Sequence, residues 1–350
     1  MSRTYSIGAV VAIIIGIVVA FAVATRNLAP TTPSGSGAPS ASAEPVSLTV
    51  GLGYIPSVQF APFYRADQAG YYAAEGLKVA FQNEIDANLI PKVGQGQVDL
   101  GLADGTSVIP AVSQAIPIKD VATIYGKFPS IVFAKASSGI ASAADLKGKR
   151  IGIPGKYGSS WIMLQALLAS ADLTPADVTI VEYPDFGQGA AVAAGAVDAA
   201  TGFVNNEPVQ LELAGTKTTV LAVDQITPLP GPGIIASTSM ISSKRDAVAG
   251  FIRATLKAMN EIAAKPSVGV DASIQAVPDL AKDRDTQDAI LAATIAAWRP
   301  ADAASGAPLT GAIDPADWDA SAAYMTSLGG LVSKPVTSSD LVDTSFTSGS

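Results

Sequence analysis

The stretch GYIPSVQFAPFYRADQAGYYAAEGLKV, residues 53–79, decides the fold and raises the first functional question. It concentrates aromatic side chains in a chain that is only 6% aromatic: Tyr54, Phe60, Phe63, Tyr64, Tyr71 and Tyr72. Aromatic rings fill protein cores, but they also form the walls of sites for flat ligands. We expect the front of the stretch, with Tyr54 and Phe60, to face a cleft and the back to pack against the protein.

The composition excludes several classes of function. The chain has 350 residues, 49% of them hydrophobic, which is enough for two domains with large cores. Its 22 Lys+Arg against 30 Asp+Glu give a net charge of -8, so it carries no electrostatic footprint for nucleic acid. With no Cys and no His, it has no disulfide, no thiol nucleophile, no zinc site of the usual kind and no Ser–His catalytic pair.

The amino-terminal segment predicts export. An uncharged apolar run at residues 7–24 lies between Arg3 and Arg26, so residues 1–26 are interpreted as a signal peptide or a membrane anchor. Residues 27–46 are rich in Pro, Ser, Gly, Thr and Ala and are interpreted as a disordered tether. We therefore expect an extracytoplasmic body that is either anchored in the membrane or released after cleavage.

From Ser47 onward, short apolar strands alternate with helical segments, which predicts βαβ units and largely parallel sheets. Two such blocks predict an α/β protein with two lobes. Residues 47–134 and 235–350 would form lobe 1, and residues 135–234 would form an inserted lobe 2. The chain would cross between the lobes near residues 131–136 and 233–237, giving a two-strand hinge and a cleft.

Polar and aromatic residues after the strands are the candidate ligand contacts, because ligands of such folds bind beyond the carboxyl ends of the strands. Ordinary roles remain open for each of them: solvated loop residues, core packing, a helix cap at Gly158–Ser160, or a turn at the two asparagines. Phe186 is a weaker candidate. The predicted set is Tyr54, Gln59, Phe60, Asp86, Asn88, Asp104, Tyr125, Phe128, Tyr157, Gly158, Ser159, Ser160, Asp185, Asn205, Asn206 and Glu207.

Four stretches carry a family resemblance: the opening one, VGQGQVDLGLADG (93–105), ADLKGKRIGIPG (144–155) and GAVDAATGFVNNEPVQLE (195–212). They resemble the solute-binding proteins of ABC importers, in the superfamily of alkanesulfonate, taurine, nitrate and thiamine-pyrimidine binders. The resemblance covers about residues 47–331. YIPSVQFAPFY (54–64), YGKFPSIVFA (125–134) and VNNEPVQL (204–211) are most similar to the riboflavin- and pyrimidine-precursor-binding branch.

The resemblance implies a type II periplasmic-binding-protein fold and a monomer without cofactor or metal. Such a protein captures a small heteroaromatic vitamin between its lobes and delivers it to a membrane permease with a separate ATPase. An alkanesulfonate, taurine or nitrate binder is the alternative within binding proteins. The superfamily also includes fungal thiamine-pyrimidine synthases, whose family pattern uses a pyridoxal-phosphate lysine, an active-site histidine and a cysteine-rich iron-binding run. The absence of His and Cys argues against that enzyme.

Overall fold

The computed structural model describes residues 44–223, 229–300, 303–304 and 306–347. The predicted signal or anchor at residues 1–26 and most of the predicted tether at 27–46 lie outside these residues. Residues 43–350 form one compact unit. Within the described part of the chain, no helix combines the length and the hydrophobicity needed to cross a membrane.

In the described residues, ten strands form two five-stranded sheets, each in a lobe of its own. The sheet of lobe 1 has the order β2-β1-β3-β10-β4, and the sheet of lobe 2 has the order β7-β6-β8-β5-β9. The strands are β1 (Val46–Leu52), β2 (Leu77–Asn83), β3 (Leu100–Asp104), β4 (Ile118–Thr123), β5 (Ser130–Lys135), β6 (Arg150–Ile153), β7 (Thr179–Glu182), β8 (Ala199–Phe203), β9 (Thr218–Ala222) and β10 (Pro232–Ser237).

Helices connect and cover the strands. They are α1 (Ala61–Gln68), α2 (Tyr71–Ala74), α3 (Asp86–Gly94), α4 (Gly105–Ser113), α5 (Gly158–Ala169), α6 (Gln188–Ala194), α7 (Glu207–Leu213), α8 (Thr238–Ser243), α9 (Arg245–Ala264), α10 (Ser267–Ala276), α11 (Arg284–Trp298), α12 (Pro315–Ser327) and α13 (Ser338–Leu341). Short 3-10 turns lie at Val58–Phe60, Ala136–Ser138, Ala143–Leu146, Pro175–Asp177, Pro278–Asp283 and Thr344–Phe346. The inserted second lobe and its alternation of strands and helices are as predicted.

The crossings between the lobes differ from the expected positions. Ser130–Lys135 pairs with β8 and β9 in lobe 2, and Pro232–Ser237 pairs with β3 and β4 in lobe 1. The chain therefore crosses between β4 and β5 and again between β9 and β10, so boundaries at 134/135 and 234/235 would cut through β5 and β10. Both strands run antiparallel to their neighbours, because each enters its sheet from the other lobe. The sheets are thus mixed rather than largely parallel.

The back of the aromatic stretch packs in the core of lobe 1, as predicted. Tyr72 stacks on Phe251 of α9 with ring centroids 5.0 Å apart, and Phe63 lies 6.1 Å from the same ring. The buried Tyr72 hydroxyl hydrogen-bonds the Thr255 hydroxyl over 2.9 Å, so its polar end is satisfied. Gly70, with φ +71, is the N-cap of α2 and lies in the short break between α1 and α2. The front of the stretch, with Tyr54 and Phe60, lies outside these ring contacts and faces lobe 2 across the cleft.

Candidate functional site

A cavity lies between the lobes at the carboxyl ends of their strands. Its empty volume is about 900 Å³, including the space at its open mouth. Such a volume is within the range of small-molecule sites. The predicted residues that line it are Tyr54, Gln59, Phe60, Asp86, Asp104, Tyr125, Tyr157, Gly158, Ser159, Ser160, Asn206 and Glu207. The structure thus brings residues from far-apart strand ends into one site, while their contact with a ligand stays a prediction.

Four predicted residues do not line the cavity. Asn88 is exposed on α3, because the helix turns it away from the strand end that Asp86 occupies. Asp185 is exposed and accepts a hydrogen bond from the Gly187 backbone N–H over 3.2 Å, as a turn residue does. Phe128 is 4% exposed and belongs to the hydrophobic core. Asn205 is fully buried one layer behind the wall.

Aromatic rings from both lobes form one end of the cavity. The rings of Tyr54 in lobe 1 and Phe186 in lobe 2 meet edge to face, with centroids 4.8 Å apart and an interplanar angle of 82°. Phe186 has φ 60, in the left-handed region that a bulky residue rarely adopts. The Tyr183 carbonyl, which accepts from the Phe186 N–H over 2.9 Å, holds this turn. The strained backbone therefore aims the ring at the other lobe.

Sequence reasoning missed several other lining residues: Gly53, Ile85, Leu102, Ala103, Pro154, Gln188, Gly202, Phe203 and Pro232. Many of them are apolar residues at or beside strand ends, where nothing in the pattern separates a cavity wall from core. Gln188 begins α6 and carried no sequence signal for a site. Its side chain nevertheless reaches the cavity floor.

In lobe 1, two carboxyl groups lie side by side. Asp86 starts α3, and its Oδ2 accepts a hydrogen bond from the Asp104 backbone N–H over 2.9 Å. Burial and the neighbouring Asp104 charge raise the pKa of Asp86 well above its usual range. Burial raises the pKa of Asp104 to about 6, and the Ser159 side chain of lobe 2, which also lines the cavity, partly opposes this rise. Near neutral pH, this wall can therefore offer a ligand both carboxylate oxygens that accept hydrogen bonds and carboxylic acid groups that donate them.

In lobe 2, Glu207 at the start of α7 is the corresponding acid. Its Oε2 accepts from the Phe203 backbone N–H over 2.9 Å, and its Oε1 accepts from Gln188 Nε2 over 3.3 Å. Burial raises the pKa of Glu207 to about 7 despite these donors. Burial first, and then the Glu207 charge, also raise the pKa of the Tyr54 phenol, so this tyrosine stays protonated. Acidic groups therefore face the cavity from both lobes.

Behind the wall, Asn205 joins the two lobes. Its Nδ2 donates to Gln59 Oε1 over 2.9 Å and to the Thr294 hydroxyl oxygen on α11 over 2.7 Å. Asn205 belongs to lobe 2, whereas both acceptors belong to lobe 1. All three side chains are buried, so the contact exists only while the lobes are together.

Comparisons with known proteins agree with this architecture. A riboflavin-binding protein, RibY, of Chloroflexus aurantiacus is 38% identical over 257 residues, which are 71% of this chain and 73% of that protein. A 4-amino-5-hydroxymethyl-2-methylpyrimidine phosphate synthase of Legionella pneumophila is 29% identical over 246 residues, 67% of this chain and 74% of the enzyme.

Among solved structures, the alkanesulfonate-binding protein SsuA from Xanthomonas axonopodis pv. citri matches with a TM-score of 0.66 and 20% identity, over 86% of this chain and 99% of that one. The periplasmic aliphatic sulphonate binding protein SsuA from Escherichia coli matches with a TM-score of 0.65 and 17% identity, over 85% and 97%. They confirm the type II periplasmic-binding-protein fold. The family model described as NMT1/THI5 like matches residues 57–268. The chain therefore belongs to the NMT1/THI5-like family.

Proposed function

We propose that this chain is the extracytoplasmic solute-binding component of an ABC importer, and that it captures a small heteroaromatic vitamin or vitamin precursor. Riboflavin is the first candidate and a thiamine-type pyrimidine the second. The observation that carries the proposal is the cavity between the lobes, which has aromatic walls and acidic acceptors on both sides. The 38% identity to a protein named as riboflavin-binding supports the choice of ligand.

The chemistry of the cavity suits such a ligand. Tyr54, Phe60, Tyr157, Phe186 and Phe203 offer ring faces and edges for a flat heterocycle. The carboxyl and amide oxygens can accept hydrogen bonds from the N–H and O–H groups on its edge. Neither lobe holds the whole set, so the ligand is bound fully only when the lobes are together.

The transport step follows from this division. A ligand that contacts both lobes stabilises the closed arrangement relative to the open one by its extra contacts in the closed state. The closed protein would then dock on a membrane permease, and a separate ATPase would supply the energy. The apolar segment at residues 7–24 would keep the protein at the membrane or direct its export. The chain would act as a monomer and carry out no chemical step.

An alkanesulfonate, taurine or nitrate binder is the alternative with the same fold. An anion in a cleft needs a cation or a cluster of free N–H donors. Among the described residues that line the cavity there is neither Lys nor Arg, while Asp86, Asp104 and Glu207 are all acidic. This charge distribution favours the vitamin branch.

A pyrimidine synthase is the alternative of another class, because some relatives are named as such enzymes. The family pattern asks for a pyridoxal-phosphate lysine, a histidine and cysteines. The chain contains no His or Cys, and no lysine is among the described residues that line the cavity. The residues present therefore do not fit that cofactor and its chemistry. Turnover of any candidate ligand by the purified protein would contradict this conclusion.

Fluorescence titration of riboflavin with the full-length chain in detergent tests the proposal. We expect saturable quenching of the flavin, weakened about tenfold or more in Tyr54→Ala, which loses a ring of the wall. Tyr71→Ala is the matched control, because that ring lies outside the cavity and its hydroxyl donates to Glu261. If riboflavin does not bind but a pyrimidine raises the melting temperature, the ligand is the precursor. If only a sulfonate or nitrate binds, the proposed ligand class is wrong.

A further inference from the structure

We propose that the cleft selects a neutral or cationic ligand rich in hydrogen-bond donors and rejects the phosphorylated form of the same molecule. The inference rests on the proposed function and specifies which form of the vitamin is taken up. It follows from three features of the cavity: its acidic walls, an unpaired acceptor, and an acidic side chain at the helix end formed by α5.

The charge of the walls is acidic on both sides. Asp86 and Asp104 face the cavity from lobe 1, and Glu207 faces it from lobe 2. No described lining residue offers a compensating Lys or Arg. A phosphate placed in such a site loses its hydration and gains no counterion. It either meets the negative charge of these acids or forces them to stay protonated. A neutral ligand has no such cost.

An unpaired acceptor lies in the same cavity. Gln188 is 1% exposed, and its Oε1 has no hydrogen-bond partner. The amide orientation is set by its Nε2, which is 3.3 Å from Glu207 Oε1 and 3.4 Å from the Thr201 carbonyl oxygen, both of them acceptors. Oε1 is therefore left to accept, and a buried acceptor without a donor is costly. An N–H or O–H group of the ligand would satisfy it.

One position that could hold an anion, the amino terminus of α5, already has an acidic neighbour. The amino terminus of α5 reaches the cavity through Gly158, Ser159 and Ser160, and free N–H groups at such a terminus favour negative charge. Asp104 and Ser159 both line the cavity, and the Ser159 side chain lowers the pKa of Asp104 against the larger effect of burial, so the carboxyl group lies near this terminus. The protein thus supplies its own anion at this point. A phosphate or sulfonate from the ligand would have to displace Asp104 or lie beside it.

Binding of riboflavin and of riboflavin 5′-phosphate to the full-length chain tests the inference by calorimetry. Because the phosphate loses its hydration and gains no counterion, we expect it to bind on the order of 100-fold more weakly than riboflavin. In Asp104→Asn, the ratio of the dissociation constants of riboflavin 5′-phosphate and riboflavin should fall by about tenfold or more. The matched control is Asp279→Asn, whose side chain is 83% exposed and lies outside the cavity, and which should keep the wild-type ratio.

The outcomes separate this inference from the proposed function. Tight binding of both flavins with equal affinity would overturn the charge selection and leave the vitamin-binding function in place. If neither flavin binds, the same comparison applies to 4-amino-5-hydroxymethyl-2-methylpyrimidine and its phosphate, with the same expected ratio. Binding of an alkanesulfonate in preference to any neutral ligand would overturn both conclusions. A ratio unchanged in Asp104→Asn would show that this carboxylate does not set the selection.

Discussion

Replacing Asn205 with alanine removes the buried hydrogen bonds that join the two lobes behind the cavity. Nδ2 loses its contacts with Gln59 Oε1 at 2.9 Å and with the Thr294 hydroxyl at 2.7 Å. A buried hydrogen bond contributes about 1 kcal/mol net, and an acceptor left unpaired costs about 1–3 kcal/mol. Thr294 still donates to the Ile290 carbonyl oxygen, whereas Gln59 Oε1 loses its donor. We estimate that the closed arrangement is destabilised by roughly 2–3 kcal/mol.

That free energy translates into ligand affinity if the ligand binds the closed arrangement. At 1.4 kcal/mol per factor of ten, the dissociation constant should rise about 30- to 150-fold. Asn205 does not line the cavity, so the loss would arise without any lost contact to the ligand. Asn88→Ala is the control, because Asn88 is an exposed amide outside the cavity and its removal should leave affinity unchanged.

The chain contains no cysteine, so the closure itself can be measured with a single pair of introduced labels. Lys78→Cys in lobe 1 and Lys217→Cys in lobe 2 replace exposed side chains and allow energy transfer between fluorophores across the cleft. We expect Asn205→Ala to shift the ligand-free distribution toward a more open state, with riboflavin restoring closure at higher concentrations. An unchanged distance distribution and dissociation constant, in a variant with the wild-type urea midpoint, would refute the role of Asn205.

Three further variants probe other parts of the molecule. Burial raises the pKa of Asp120 in the folded protein well above the ordinary value of 3.8. Protonation of Asp120 therefore stabilises the folded protein fully below pH 3.8, and this stabilisation is lost as the pH rises through the folded-state pKa. In urea unfolding, the free energy of unfolding of Asp120→Asn relative to the wild type should therefore rise from pH 5 to pH 8. The same difference in free energy at both pH values would contradict this. A Cβ at Gly53 would lie 2.6 Å from Asp86 Oδ1, so Gly53→Ala should weaken riboflavin binding about tenfold or more in titration. Phe251→Ala should lower the free energy of unfolding by about 3–5 kcal/mol while leaving the affinity of the folded protein unchanged, because Phe251 packs on Tyr72 far from the ligand.

The architecture was predictable because its signals are local and repeated. Short apolar strands that alternate with helices predict βαβ units, and the carboxyl ends of parallel strands meet at one edge. Asp104 illustrates the rule: the apolar run at residues 100–103 forms β3, and the first polar residue after it lies at the cavity. The same reasoning places Asp86, Asn206 and Glu207 correctly at the cavity wall.

The sequence does not predict which side chains point into the cavity, because their direction depends on the backbone angles of the residues after the strand ends. Asp86 lines the cavity, whereas Asn88, only two residues later, is exposed to solvent because α3 turns it away. Phe128 precedes β5 by two residues and packs into the core because the chain crosses between the lobes earlier than the pattern indicates. The Phe186 ring reaches the cavity only through a left-handed backbone conformation, which no pattern in the sequence marks.

Two adjacent asparagines occupy different places in the proposed site, one at the cavity wall and one at the contact between the lobes. Asn206, with φ -126 and ψ -86, turns the chain at the start of α7 and lines the cavity beside Glu207. Asn205 points the other way and bonds the opposite lobe, out of reach of a ligand. If one residue both contacted the ligand and joined the lobes, any change of ligand would also change the free energy of lobe closure. With the two contacts on neighbouring residues, a change in the cavity wall need not alter the contact between the lobes.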